Sequence, residues 1–395
     1  MSLTAVPAAD LEPSLISGQT YVTRRRPAYV DAATVLGLLV GLTTLVPARL
    51  IVPGMTDLAR PGLIVGFVLL WWWLVARLTS HLAMTGPQPI RWAVLVFMMS
   101  VLASYAVGSL RGLTTMESNS ADRTMLFYGV LTGVILAAAD GVPNWLRLRA
   151  VLRVLVGCAT VVALLAIIQY VFVIDVTQYM TIPGLQEKGY VIGFETRGGG
   201  IRVASTTTHY IELAAFLATV FPIAVHFTLH SHRSVRRQIF LGCTAVIAGG
   251  LAATISRTGV LALVLAFVVL LPVWTWRQRY NVGITTAILA AAAAMASPGL
   301  VRTLLELFDD PATNPGFTVR AERYPMVFDY VGQRPWLGRG TGTWTAPQYT
   351  ILDNQWLDTL LMIIGVRAAV AALCMPISPS GCSATCPALG ATKIG

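Results

Sequence analysis

Through its first 300 residues the chain alternates long apolar runs with short polar connections. Runs near the ~20 residues needed to cross hydrocarbon recur at about 29–47, 59–76, 92–110, 124–140, 152–174, 209–229, 238–256, 258–276 and 281–300. A tenth opens at about 356–375 but carries Arg367 near its middle. The runs are continuously apolar rather than alternating, which predicts helices and excludes a membrane β-barrel. The expected architecture is an all-α polytopic integral membrane protein of about 10 transmembrane helices, with a large extracytoplasmic loop before the last one.

Composition supports that class: 55% of residues are hydrophobic, 12% are charged and the mean hydropathy is +0.69. In a soluble protein a net charge of +10 would suggest nucleic acid. Here the positive-inside rule and the anionic lipid surface account for it, and no recognition module appears, so nucleic acid is not an expected partner. With the N-terminus in the cytoplasm, the inside connections hold thirteen arginines: Arg24, Arg25, Arg26, Arg77, Arg91, Arg147, Arg149, Arg153, Arg233, Arg236, Arg237, Arg277 and Arg279. The short outside connections hold five: Arg49, Arg60, Arg111, Arg123 and Arg257. That bias orients the chain and puts the polar segments 175–208 and 302–355 on the extracytoplasmic side. Trp71, Trp72, Trp73, Trp145, Trp274 and Trp276 fall near predicted inner span ends, where indoles anchor to the headgroup layer.

The organisation that follows is a cytoplasmic tail at 1–28 and a nine-helix membrane domain at 29–300 containing the loop 175–208. A large extracytoplasmic loop at 301–355, a tenth helix at 356–375 and an atypical tail at 376–395 complete it. From Arg367 onward the chain is rich in Ala, Ser, Pro and Cys, and a mid-bilayer arginine costs about 2.5–3.5 kcal/mol. A native tail and a truncated or frame-shifted one both remain open.

Four elements on the outside face can carry chemistry. The first is Gly198-Gly199-Gly200-Ile201-Arg202, just before the span opening at His209. Its glycines allow close backbone approach, and its guanidinium fork suits phosphate. The second is Ser256-Arg257-Thr258, a turn between two spans that pins one arginine at the depth of a lipid-linked phosphate. The third joins Arg320, Glu322, Arg323 and Tyr324 to Pro335-Trp336-Leu337-Gly338-Arg339-Gly340, with an amphipathic helix expected over 317–331. The fourth is Asp353-Asn354-Gln355-Trp356, where Asp353 is either a base or the cap of the helix that follows.

No metal site is expected. His209, His226, His230 and His232 lack a carboxylate partner, and Cys374, Cys382 and Cys386 lack paired spacing. A Walker loop and a nucleophile elbow are both absent, and Gly338–Gly342 lacks the strand–helix context of a nucleotide loop. No cofactor is expected.

In this order, the four elements resemble the O-antigen ligase/polymerase family of bacterial envelope glycosyltransferases, over about residues 190–365. The resemblance rests on Gly200-Ile201-Arg202, on Ile255-Ser256-Arg257-Thr258-Gly259 and on Arg320. Arg334-Pro335-Trp336-Leu337-Gly338-Arg339-Gly340 and Asp353-Asn354-Gln355-Trp356-Leu357 complete it. It implies a metal-independent enzyme of the bacterial cytoplasmic (inner) membrane that works on the extracytoplasmic face. The donor would be a glycan on polyprenyl diphosphate, and the acceptor a lipid, glycan or protein.

Arg202, Arg257, Arg320 and Arg339 would bind the diphosphate, whose charge grows as the sugar–phosphate bond breaks. Asp353, Arg257 and Glu322 would serve the chemical step, with Glu195 and Glu322 in reserve as the base. Two departures stand out. Ligases of the family share a loop histidine, whereas 302–355 has none and offers Asp353 instead, which favours a polymerase-like member. The family also continues through further helices beyond this point. A transporter or flippase for lipid-linked oligosaccharide and an inactive truncated member are the competing readings.

Overall fold

The computed structural model describes residues 31–54, 60–78, 89–142, 144–187, 200–231 and 233–296. It also describes 315–333, 338–346, 348–352 and 354–362, with short strands at 11–13, 21–23 and 195–197. The expected tenth span beyond Met362, the tail 376–395 and the polar stretch 301–314 lie outside the described residues.

Each of the nine apolar runs is met by a helix. These are α1 (Ala32–Leu45), α2 (Pro61–Leu78), α3 (Pro89–Ser109), α4 (Thr115–Gly141) and α5 (Trp145–Phe172), then α6 (Tyr210–Leu229), α7 (Ser234–Ala253), α8 (Arg257–Leu270) and α9 (Trp276–Ala296). Among the described residues five of them, α2 to α6, are long and apolar enough to cross a membrane. This is a helical membrane protein. Among the described residues the other four fall short of that measure: α1 and α8 are short, and α7 and α9 open on arginine-bearing first turns.

Helix ends follow local chemistry that hydropathy does not sense. α4 begins well before the apolar run at 124, because Thr114 and Glu117 form a reciprocal capping box. The Thr114 N–H donates to Glu117 Oε2 at 3.0 Å, and the Glu117 N–H donates to Thr114 Oγ1 at 3.3 Å. α5 starts at Trp145 because the Asn144 side chain accepts from the Arg147 N–H at 3.0 Å. α8 stops at Leu270 rather than 276, ahead of Pro272.

The polar stretch supplies two more helices, α10 (Pro315–Gln333) and α11 (Gln355–Met362). α10 answers the amphipathic helix expected over 317–331: Val327 is buried, while Val319, Tyr324 and Phe328 are exposed. Short antiparallel pairs join β1 (Leu11–Pro13) to β2 (Tyr21–Thr23) and β3 (Leu50–Ile51) to β4 (Gln186–Glu187). A third pair joins β5 (Glu195–Arg197) to β6 (Gly200–Arg202).

The chain forms two compact units, Met1–Met98 with Arg123–Ala321, and Met99–Asp122 with Glu322–Gly395. The core of the first is built mainly from α5, α6 and α7, with Ala159, Ala163, Ala166, Ala214, Ala218 and Ala224 almost fully buried. In a helix pair without a hydrophobic driving force, small side chains let backbones approach and dispersion contacts form.

A polar triad is buried in the same unit. Arg91 donates twice to Asp140, from Nε and Nη2 at 2.8 Å each, and Trp73 Nε1 donates to Asp140 Oδ2 at 2.8 Å. Asp140 is 0% and Arg91 5% exposed. Arg91 is therefore committed to a buried pair and not free in a connection, and Trp73 is a buried donor where an interfacial anchor was expected.

Candidate functional site

In the first unit two turns carry the arginines singled out from sequence. β6 ends at Arg202, whose backbone pairs opposite Glu195 of β5. The following residues are pinned into the core. Ser205 holds a left-handed backbone at φ 52°, its N–H donates to Gln169 Oε1 at 2.9 Å, and its Oγ donates to the Val162 carbonyl at 2.8 Å. Gln169 in turn donates to Asp175 Oδ1 at 2.9 Å, which fixes its orientation. Thr206 Oγ1 donates to the Thr44 carbonyl at 2.6 Å, and its own carbonyl accepts from the Ala48 N–H at 2.8 Å. This anchoring sets where α6 begins. The Arg202 guanidinium lies 4.3 Å from the Tyr210 ring centroid in the first turn of α6, and its Nη1 donates to the Tyr210 hydroxyl.

The second turn, Thr254-Ile255-Ser256, is buried throughout. Ile255 sits at φ 46°, a conformation that a β-branched residue adopts only under strain of about 1–3 kcal/mol. Such strain persists where the surroundings over-determine it, and here it falls two residues before α8 opens at Arg257. Gly259, two residues on, lies so close to α6 that a Cβ there would fall 3.0 Å from Ala214 Cβ. The first turn of α8 thus packs on the N-terminal part of α6, whose first residue, Tyr210, stacks on Arg202.

The second unit holds a different cluster. Arg339 Nη2 donates to the Tyr349 hydroxyl, which donates to Glu117 Oε1 at 2.9 Å. Arg111 Nη2 also donates to that oxygen, at 3.0 Å. The Arg339 guanidinium lies 4.4 Å from the Tyr349 ring, 5.4 Å from Tyr330 and 5.5 Å from Trp344. Two guanidinium groups thus share one carboxylate that is only 3% exposed, leaving the cluster net positive.

The glycines around Arg339 have a backbone reason. Gly340 takes φ 113°, and a Cβ there would lie 2.6 Å from Gly108 Cα, so α3 and this loop meet backbone to backbone. Across the same contact Thr341 Oγ1 donates to the Val101 carbonyl at 3.2 Å, and Ser104 donates to the Met362 carbonyl. Tyr324 accepts from Asn354 Nδ2 at 3.2 Å, while Asn354 Oδ1 accepts from the Trp356 N–H at 3.0 Å. Asn354, one residue after Asp353, fills the capping role at the start of α11.

Residues 242–363 match the family model described as O-Antigen ligase. The chain carries an O-antigen ligase family domain. Comparison with curated proteins and with solved structures gives no match. The family domain runs from within α7 to just past the last described residue of α11, so it takes in Arg257, Arg320, Glu322, Arg339 and Asp353. Arg202 precedes it.

The residues expected from sequence fall in separate settings. Arg202 is 8% exposed and held against Tyr210. Arg257 and Arg320 are described as backbone positions, in the first turn of α8 and in α10. Glu322 is on the exposed face of α10, and Arg339 is clamped among three aromatic rings. Asp353 lies outside the described residues, as does the Glu195 side chain. Sequence reasoning missed Glu117 as the hub of the Arg339 cluster. The Thr-x-x-Glu capping signature at Thr114–Glu117 was its visible trace. Among the described residues no group of His, Cys, Asp and Glu is arranged to hold a metal.

Proposed function

We propose that this protein is an envelope glycosyltransferase that moves or polymerises glycan from a polyprenyl-diphosphate donor on the extracytoplasmic face of the bacterial cytoplasmic membrane. The O-antigen ligase family domain supports glycan transfer in the envelope, and the membrane helices support a lipid-borne substrate. One observation supports the reading further: α8, which opens at Arg257, packs through Gly259 on Ala214 near the start of α6, where Tyr210 stacks on Arg202. A leaving diphosphate gathers negative charge in the transition state. Preorganised guanidinium groups stabilise it there more than in the ground state, which is what accelerates the step. In this reading Arg202 and Arg257 bind the diphosphate, Arg320 and Arg339 add positive field, and Asp353 takes the proton of the acceptor hydroxyl, with Glu322 as the alternative base. No metal is needed.

The assignment of Asp353 has a direct test. Asp353→Asn removes the basic oxygen without changing shape, and is expected to lower turnover by about 10²–10⁴ while donor binding survives. Full turnover in that variant, together with loss in Glu322→Gln, moves the base to α10. The face is tested by single cysteines at Thr313 and Thr345 in a cysteine-free background. Both are expected to react with membrane-impermeant thiol reagents on intact cells whose outer envelope is permeable. Labelling seen only after lysis reverses the orientation.

A further inference from the structure

A cavity of about 170 Å³ opens in the first unit between the end of α1, the start of α2 and the first turn of α6, and nothing above uses it. Its apolar wall includes Leu42, Leu63 and Phe127, and its polar groups include Arg60, Glu212 and Thr207. Thr208 sits between the two charges. Its Oγ1 accepts from Arg60 Nη2 at 3.4 Å, and its N–H donates to Glu212 Oε2 at 3.1 Å. One hydrogen bond leaves each charged group with most of its capacity unused by Thr208: a guanidinium has five N–H donors and a carboxylate about four lone-pair sites.

The chemistry of the lining narrows the occupant. One guanidinium and one carboxylate give the cavity no net charge, so a phosphate placed there meets Glu212 and is repelled. A hydrocarbon chain would cover both charges without offering either a hydrogen bond, which is strongly unfavourable. A neutral ring carrying hydroxyls meets every demand. Its hydroxyls donate to Glu212 and to Thr207 Oγ1, whose own proton goes to the Ala204 carbonyl at 2.7 Å, and accept from Arg60, while its C–H faces pack on Leu42, Leu63 and Phe127. The volume is close to the ~150 Å³ of an apolar cavity that holds one benzene molecule, the scale of a single six-membered ring.

We propose that this cavity binds one neutral sugar ring, held by Glu212 and Arg60. The inference rests on the glycan-transfer reading and adds the class of group recognised and its place. The cavity adjoins the turn that anchors Arg202: Thr206 is in its lining, and Tyr210, which stacks on Arg202, is two residues before Glu212. A sugar here is therefore close to the proposed diphosphate grip. The ring can be brought by the donor glycan or by the acceptor, since the recognition chemistry is the same.

The test uses the full chain in detergent and a methyl hexoside bearing a diazirine, with photolabelled peptides mapped by mass. Labelling is expected within 42–50 or 60–63 or at Phe127, to fall about tenfold in Glu212→Ala, and to fall similarly in Leu63→Trp, which fills the cavity. Glu212 also supports the start of α6, so gel filtration checks that each variant is folded, and Leu63→Trp keeps the test independent of that contact. An excess of unlabelled neutral hexoside should compete, and inorganic diphosphate should not. Labelling that maps elsewhere, labelling unchanged in both variants, or competition by diphosphate each overturn the proposal. Where transfer is measurable, Leu63→Trp raises the KM of whichever substrate brings the ring, which separates donor from acceptor. Photolabelling needs no turnover, so a labelled cavity in a protein inactive in every transfer assay counts against the transfer reading alone.

Discussion

Arg202→Ala and Arg257→Ala are each expected to lower glycan transfer by at least ~10²-fold while the protein still reaches the membrane and purifies as a folded species. The expectation follows from charge. On the proposed reading guanidinium groups stabilise the departing diphosphate, and removing one leaves growing charge less well paired in a region of low dielectric. Lys at either position keeps the charge but not the planar fork, and should restore only part of the rate. Arg202 also stacks on Tyr210, so packing must be separated from catalysis. Tyr210→Phe keeps the ring and removes the hydroxyl; it should lower the rate far less than Arg202→Ala. The measurement is transfer of labelled glycan by the reconstituted full chain. Near-normal transfer in both Ala variants removes the diphosphate assignment.

The largest expected effect on stability lies at Asp140. This carboxylate is fully buried and accepts three hydrogen bonds, two from Arg91 and one from Trp73. Asp140→Ala leaves the Arg91 guanidinium buried without its carboxylate, and breaking a pair of this kind costs about 3–5 kcal/mol. Thermal unfolding of the purified protein should show a sharp loss of Tm. Replacing both partners with apolar residues, as in Asp140→Leu with Arg91→Met, should recover much of it, because neither charge then remains stranded. A single Ala variant as stable as the parent would mean that water or lipid headgroups already screen the pair.

Much of the helical framework was legible in the sequence because spans obey a one-dimensional rule. Each must bury its own backbone hydrogen bonds across hydrocarbon, so length and hydropathy are enough to find it. Nine apolar runs became nine helices, five of them long and apolar enough to span among the described residues, and the amphipathic pattern over 317–331 became α10. Helix ends were less legible. The start of α4 depends on the Thr114–Glu117 capping box and the end of α8 on Pro272, and neither changes mean hydropathy much. Asp353 itself lies outside the described residues, while its neighbour Asn354 accepts from the Trp356 N–H at the start of α11.

What the sequence by itself determined was the class, the run of helices, the family resemblance and the two arginine-bearing turns, because each depends on residues close together in the chain. The long-range pairings needed the tertiary structure. Asp140 and Arg91 are 49 residues apart, and Glu117 and Tyr349 are 232 apart. Nothing in the sequence marks the stacking of Arg339 among Tyr330, Trp344 and Tyr349. Arg60, counted from sequence only as one arginine of an outside connection, shares a cavity with Glu212. In each case the reason is the same. A charged side chain near a membrane boundary looks alike in sequence whether it meets water, lipid or a partner, and only packing decides which of these desolvates it.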